Sequence, residues 1–462
     1  MARTHHDIDM LSGPLFGKML TFSLPIMALN LLQLLFSFTN MVVVGNFSGE
    51  KALAAVGATG ALVNLLVTLF MGLSAGVSVV VAQEHGAGKP AEVSRTVHTA
   101  ICISFVAGIV VMLAGQLFSK AMLEWMDTPP DIILQSELYL RIYFFSSPAG
   151  LVYNFGAAIL RAVGDSRRPM YYLIAAGILN VILNLFLVIV LHLSVAGVAW
   201  ATVASEYFAL VLIMICLMRS EGAIRVIPKQ LRIDFKKLKS IVRIGLPAGT
   251  QGLFFSISNV LIQSAVNSFG STMVAASAAA GNVEGLIGTT MNAYYTAAIT
   301  FSGQNMGAKK YDRIDSVAKV STSLIFVTWI ILGGAIMLFG RTLLGFYASD
   351  PAVIDLGMQR MVVLMAAYFT CGFMNVFPGI TRGMGYSVGP MLCTLVGVCL
   401  LRIVWLQTVF AWMPTVTMLF ACYPVTWGLS GIGQVGIYLF ARKRIRRRDA
   451  EPGEMPCPVE VV

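Results

Sequence analysis

The sequence predicts an all-α polytopic membrane protein, with twelve transmembrane helices in two parallel six-helix lobes related by a pseudo-two-fold axis along the membrane normal. Three observations carry that fold class. Hydrophobic residues make up 57% and charged residues 12% of the 462, whereas an ordinary soluble domain has about 25% charged residues. Apolar runs long enough to cross a roughly 30 Å hydrocarbon core recur along the whole chain. One register then relates the first half to the second.

Taken in order, the apolar runs fall at 18–46, 52–83, 96–120, 137–160, 169–193, 195–218, 241–268, 272–304, 316–340, 356–380, 390–412 and 416–440, separated by Gly, Pro or charge. A polar segment, 1–17, precedes the first run. That run is too long for a signal-peptide core and lacks a small-x-small cleavage site, so it is expected to stay as a helix. The N-lobe is 18–218 and the C-lobe 241–440. Between them a basic linker, 219–240, carries Arg225, Lys229, Arg232, Lys236, Lys237 and Lys239. The tail, 441–462, opens with the basic run Arg442 to Arg448 and is expected to be disordered from Asp449 on. With an inside N-terminus, 26 of the 32 Lys and Arg residues lie on or near the cytoplasmic side. That bias places both termini in the cytoplasm and the chain in the inner (plasma) membrane.

The net charge of +10 follows from these helix-end residues, which read as topology and headgroup anchors rather than a nucleic-acid surface. Of the seven cysteines, six lie in apolar runs and Cys457 in the tail, with no CxxC or metal-like spacing. No metal site is read. The GAGK and GAKK turns lack the GxxxxGK[ST] context of a phosphate loop, and no hydrolase pattern is present, so neither an enzyme nor a resident cofactor is expected.

The repeat fixes the architecture more firmly than any single motif. Arg161 and Arg382, Pro169 and Pro390, Gln83 and Gln304, and Asn154 and Asn375 are each 221 positions apart, while Pro25 and Pro247 are 222 apart. Six spans per copy is an even number, so both copies insert with the same orientation, and a midplane cleft between the lobes is expected.

With SLPIM, GNFSGEKALAAVGATG, AQEHGAGK, ILRAVGDSRRPM and VAGVAWATVASE in the first half, and GLPAG, GQNMGAKKYDR and TRGMGYSVGPM in the second, the chain resembles the multidrug and toxic compound extrusion (MATE) family, bacterial type. The likeness spans about residues 15–440. It implies two six-helix bundles that alternate between outward-open and inward-open states and export cationic or amphipathic compounds in exchange for protons or sodium ions. Family members often carry an Asp in the first helix and some a second in helix 5; Asn40 and Asn184 stand there in this chain. Ser256 and Cys371 stand nearest the acids that other members carry in helices 7 and 10.

Glu284 and Glu206 are the acids deep in apolar runs. A carboxylate at a helix centre costs on the order of 2.5–3.5 kcal/mol on insertion scales, so one that remains is a functional candidate. Glu284 is the principal candidate for proton or cation coupling, or else it is held by a buried partner such as Arg402. Glu206 reads more readily as peripheral. Asn40, Asn180 and Asn184 are candidate neutral ligands, or bridges between helices. For substrate, the candidates are Asn259 and Gln263 at i, i+4, Asn282, Asn292, Tyr294 and Tyr295 near Glu284, the repeat pair Asn154 and Asn375, and Arg402. Tyrosines beside a carboxylate suit an organic cation.

The expected activity is secondary antiport of organic cations or amphipathic molecules by a monomer whose partners are a small-molecule substrate and membrane lipids. Two alternatives are a lipid-linked flippase of the same superfamily, which needs a basic cleft, and a receptor or scaffold that kept the fold but lost coupling.

Overall fold

The computed structural model describes residues 8–126, 128–348 and 350–450, without the side chains of 37, 38, 61 and 448–450. In hydrocarbon every backbone N–H and C=O must be satisfied within its own segment, which is why these apolar runs become helices. Each predicted span coincides with helix: α1 Leu15–Ser48, α2 Glu50–Gly86, α3 Pro90–Trp125, α4 Ile133–Phe144 with Ser147–Ala162, α5 Arg167–Val190 and α6 Ser194–Arg219. The second half gives α7 Phe235–Asn267, α8 Ser271–Gly307, α9 Tyr311–Gly345, α10 Pro351–Ala366 with Tyr368–Gly383, α11 Val388–Phe410 and α12 Val416–Ala450.

Among the described residues, eight of these are apolar and long enough to span on composition alone, and the bent pair of α10 makes a ninth. The other three are α4, α7 and α8. α4 is broken, and α7 and α8 are richer in Ser, Asn, Gly and charge. The basic run Arg442 to Arg448 continues α12 as helix. The remainder of the expected tail, 451–462, lies outside the described residues.

Two spans are broken where unbroken helices were expected. In α4 the helix stops at Phe144 and restarts at Ser147 with Pro148 in its first turn, where a missing N–H costs nothing. In α10 the two pieces meet at Ala367 with a 55° bend. The Met365 carbonyl beside that bend accepts from the Trp329 indole at 2.7 Å, so the break leaves that group satisfied. The two breaks occupy equivalent places in the repeat.

The repeat extends to the turns. After α2, Ala87 N–H donates to Gln83 O at 2.9 Å and Lys89 N–H to Glu84 O at 3.1 Å; after α8, Ala308 N–H donates to Gln304 O at 3.0 Å and Lys310 N–H to Asn305 O at 2.9 Å. Gly88, at φ 66°, takes the left-handed conformation that closes the first turn. Its repeat mate is Lys309, at φ 56°.

The chain divides into two compact units, one of Met1–Ile8 with Ala28–Val242 and one of Asp9–Met27 with Arg243–Val462. This differs from the expected 18–218 and 241–440 in two places. The start of α1 groups with the second unit because Met19 and Phe22 are wholly buried there, Phe22 edge-on to Phe301 at 5.8 Å. Ahead of it, the Met10 carbonyl accepts from Asn305 Nδ2 at 3.2 Å and from Arg313 Nε at 3.1 Å. The linker groups with the first unit because its backbone is tied to α3. Ile227 N–H donates to His98 Nε2 and Asp234 N–H to Thr99 Oγ1, each at 3.1 Å. Lys237, ahead of the predicted span 241–268, bridges Glu84 and Glu92. Burial opposes the charge on Lys237, but the hydrogen bonds to those two carboxylates outweigh it and hold the ammonium above the ordinary lysine range.

Candidate functional site

In the second unit, Glu284 projects from α8 and is 8% exposed. It is paired with Arg360 of the first α10 piece, whose Nε donates to Oε1 at 2.9 Å and whose Nη2 donates to Oε2 at 2.8 Å. Ser277, two turns before Glu284, accepts from the same guanidinium. This fork-to-fork geometry is the strongest form of a carboxylate–arginine contact. The guanidinium carbon also lies 5.1 Å from the Phe420 ring centre and 5.8 Å from that of Tyr423.

Tyr423 joins this pair to a second buried cation. Arg402 Cζ stands 4.5 Å over the Tyr423 ring, and its Nη1 donates to Asn259 Oδ1 at 2.8 Å and to Ser258 Oγ at 3.0 Å. Its Nε and Nη2 make no hydrogen bond, although the residue is 0% exposed. Glu284, Arg360, Tyr423, Arg402 and Asn259 thus form one chain of contacts with more positive than negative charge. A third arginine, Arg382, is bound by Gln251 and by the Tyr295 hydroxyl and lies over the Tyr295 ring at 5.6 Å.

In the first unit the polar groups bridge helices. Asn184 Nδ2 donates to Asn40 Oδ1 at 2.7 Å, joining α5 to α1, and Asn180 Nδ2 donates to Ser205 Oγ at 3.2 Å, joining α5 to α6. The carbonyl oxygens of Asn180 and Asn184 are buried and make no hydrogen bond. Two acceptor sites therefore remain open, a chemistry suited to a hard cation or a donor group.

The expected residues separate accordingly. Asn259 and Arg402 belong to the Glu284 cluster. Gln263 is exposed and bonds to Asn267 at 3.0 Å. Asn282 is exposed and Asn292 half-buried. Tyr294 donates to or accepts from Thr328 at 2.8 Å and Tyr295 holds Arg382, so the rings by the acidic site are Phe420 and Tyr423 instead. Helix α8 turns its residues 294 and 295 about three turns away from 284, which sequence proximity alone obscures. Asn154 and Asn375 do not bridge helices. Each donates one turn back in its own helix, to Gly150 O at 2.8 Å and Cys371 O at 2.9 Å, again in equivalent places.

The partner of Glu284 is Arg360 rather than Arg402. Arg360 sat inside the predicted span 356–380, so the rule that flagged the acid applied to it equally. Tyr423 and Phe420 carried no such signal among the chain's 41 Tyr and Phe residues.

Comparison with known proteins gives a consistent picture. The MatE family model matches residues 25–186 and 247–406. The chain is 26% identical over 385 residues to a probable multidrug resistance protein, YoeA, of Bacillus subtilis, covering 82% of this chain and 83% of that one. It is 24% identical over 434 residues to an FAD transporter of Shewanella oneidensis, covering 92% and 94%. Among solved structures it resembles a MOP superfamily transporter from Pyrococcus furiosus, described as having a binding pocket of reverse polarity that suggests a different function. The TM-score is 0.88 at 19% identity, over 97% of this chain and 100% of that one.

Proposed function

The chain belongs to the MatE family of multi-pass membrane transporters, and on that premise we propose that it is a secondary active antiporter, working as a monomer in the bacterial plasma membrane with both termini in the cytoplasm. It exports a small organic molecule in exchange for protons or sodium ions by alternating access. The observation that carries the reading is the buried Glu284–Arg360 pair with its aromatic wall. A helix bundle gains little from such a pair over apolar packing, so charges kept at that depth point to ion or substrate handling.

Organic cations and amphipathic compounds are the first substrate class, as for the multidrug resistance relatives. A second class is favoured by a specific observation. Among the described residues of the second unit, Arg360, Arg382 and Arg402 are buried or nearly so while Glu284 is the buried carboxylate, and that surplus suits an anionic substrate, including the lipid-linked anions of a flippase. The FAD transporter of Shewanella oneidensis supports this class as a relative. A panel in proteoliposomes decides between them: efflux of a cationic dye and of FAD, each under a proton gradient alone and a sodium gradient alone. Movement of the dye supports the first class and movement of FAD the second. Equal, gradient-independent leakage of both sinks antiport.

A further inference from the structure

Among the described residues, the first unit holds a carboxyl with no neutralising partner. Glu206 lies at the middle of α6 and is partly exposed, and among the described residues it makes no hydrogen bond and no ion pair. Glu284, by contrast, is held at both oxygens. The Glu206 carboxyl lies beside Gly150 of α4: a Cβ added there would stand 3.6 Å from Oε2, an ordinary van der Waals contact. Tyr153 donates its own proton elsewhere, to Pro169 O at 2.8 Å.

Among the described residues, no cation is placed to balance this charge within the membrane. The charged residues of α2 stand at its ends, at Glu50, Lys51 and Glu84, and those of α5 at its start, at Arg167 and Arg168. On α4, Arg141 is committed to Glu137 at 2.7 Å, and Arg161 lies in the last turn. One turn before Glu206, Val203 belongs to a buried apolar cluster with Val43, Val44, Val188 and Val198, with Tyr143 packed on it. On the neighbouring face, Ser205 takes its bond from Asn180.

We propose that Glu206 is the proton-binding site of the first unit and carries the coupling proton. The carboxylate takes up a proton when it faces the acidic side and releases it when it faces the other. Protonation removes the unbalanced charge from its apolar surroundings. The asparagines at the positions where relatives carry acids leave Glu206 as the unpaired acid at this depth among the described residues. What the proton does for transport rests on the antiport reading; that it binds here does not.

The test has two arms. Infrared difference spectroscopy of the purified protein across pH reads protonated carboxyl directly. The band of a protonated carboxyl should titrate in the native chain and in Glu284→Gln, and disappear in Glu206→Gln. A band unaffected by Glu206→Gln overturns the proposal, whatever the transport result. In proteoliposomes, Glu206→Gln should lose proton-driven dye or FAD efflux and its pH dependence while retaining substrate counterflow, and Glu206→Asp should restore part of the driven component. Full proton-driven efflux in Glu206→Gln overturns the coupling role. A titrating Glu206 band in a native chain that transports nothing supports the site and overturns the antiport reading. Retained counterflow in Glu206→Gln also shows that the variant folds.

Discussion

A bidentate arginine changes what a buried glutamate can do. With both oxygens of Glu284 engaged at 2.8 and 2.9 Å, losing either partner strands a charge in a dry interior, whereas losing both leaves only a gap. Glu284→Gln and Arg360→Gln should therefore each cost about 3–5 kcal/mol, and the double variant should recover most of that loss. Thermal unfolding of the three variants in detergent measures it, and a strictly additive double variant would show that the two residues act separately. The acid in this pair was legible in the sequence, because one carboxylate in an apolar run stands out. Arg360 was visible by the same rule, but the pairing was not: the two lie 76 positions apart, and nothing local tells which of several spans will face α8. The same limit applied to Tyr423, whose place between Arg360 and Arg402 depends on α12 packing beside α10 and α11.

At the scale of the element, the repeat was readable because turns are encoded locally. Gly88 and Lys309 close equivalent turns in the left-handed conformation, but only glycine does so without a Cβ clash. Lys309→Gly should accordingly raise stability by about 0.5–1 kcal/mol, the relieved strain less the extra chain entropy of glycine, and Gly88→Ala should lower it. Thermal unfolding of the two variants is the check, and equal shifts of one sign would refute the assignment. The breaks in α4 and α10 were less legible. Pro148 signals a restart, and helix could equally have run through Ala367, where the Met365 carbonyl beside the bend accepts from the Trp329 indole. The helical spans followed from apolar length alone. Their π-helical turns, such as Phe186–Val190 and Trp329–Gly333, left no trace in composition.

For the molecule as a whole, the doubled scaffold carries unequal chemistry. Among the described residues, the second unit keeps an acid with its arginine and two further buried arginines; the first keeps paired asparagines and, deep in a span, the unpaired acid Glu206. A sequence without an Asp in its first helix thus retains ionisable groups in both units. Glu284 is held at both oxygens by Arg360, whereas Glu206 has no such partner among the described residues. Coupling itself is tested most directly in sealed proteoliposomes bearing an imposed proton or sodium gradient, read by a pH-sensitive or sodium-sensitive dye as substrate is added. Antiport predicts that substrate collapses one of the two gradients faster in vesicles holding the protein than in empty ones. Both gradients decaying at the same rate with and without substrate, for cationic and anionic substrates alike, would contradict it.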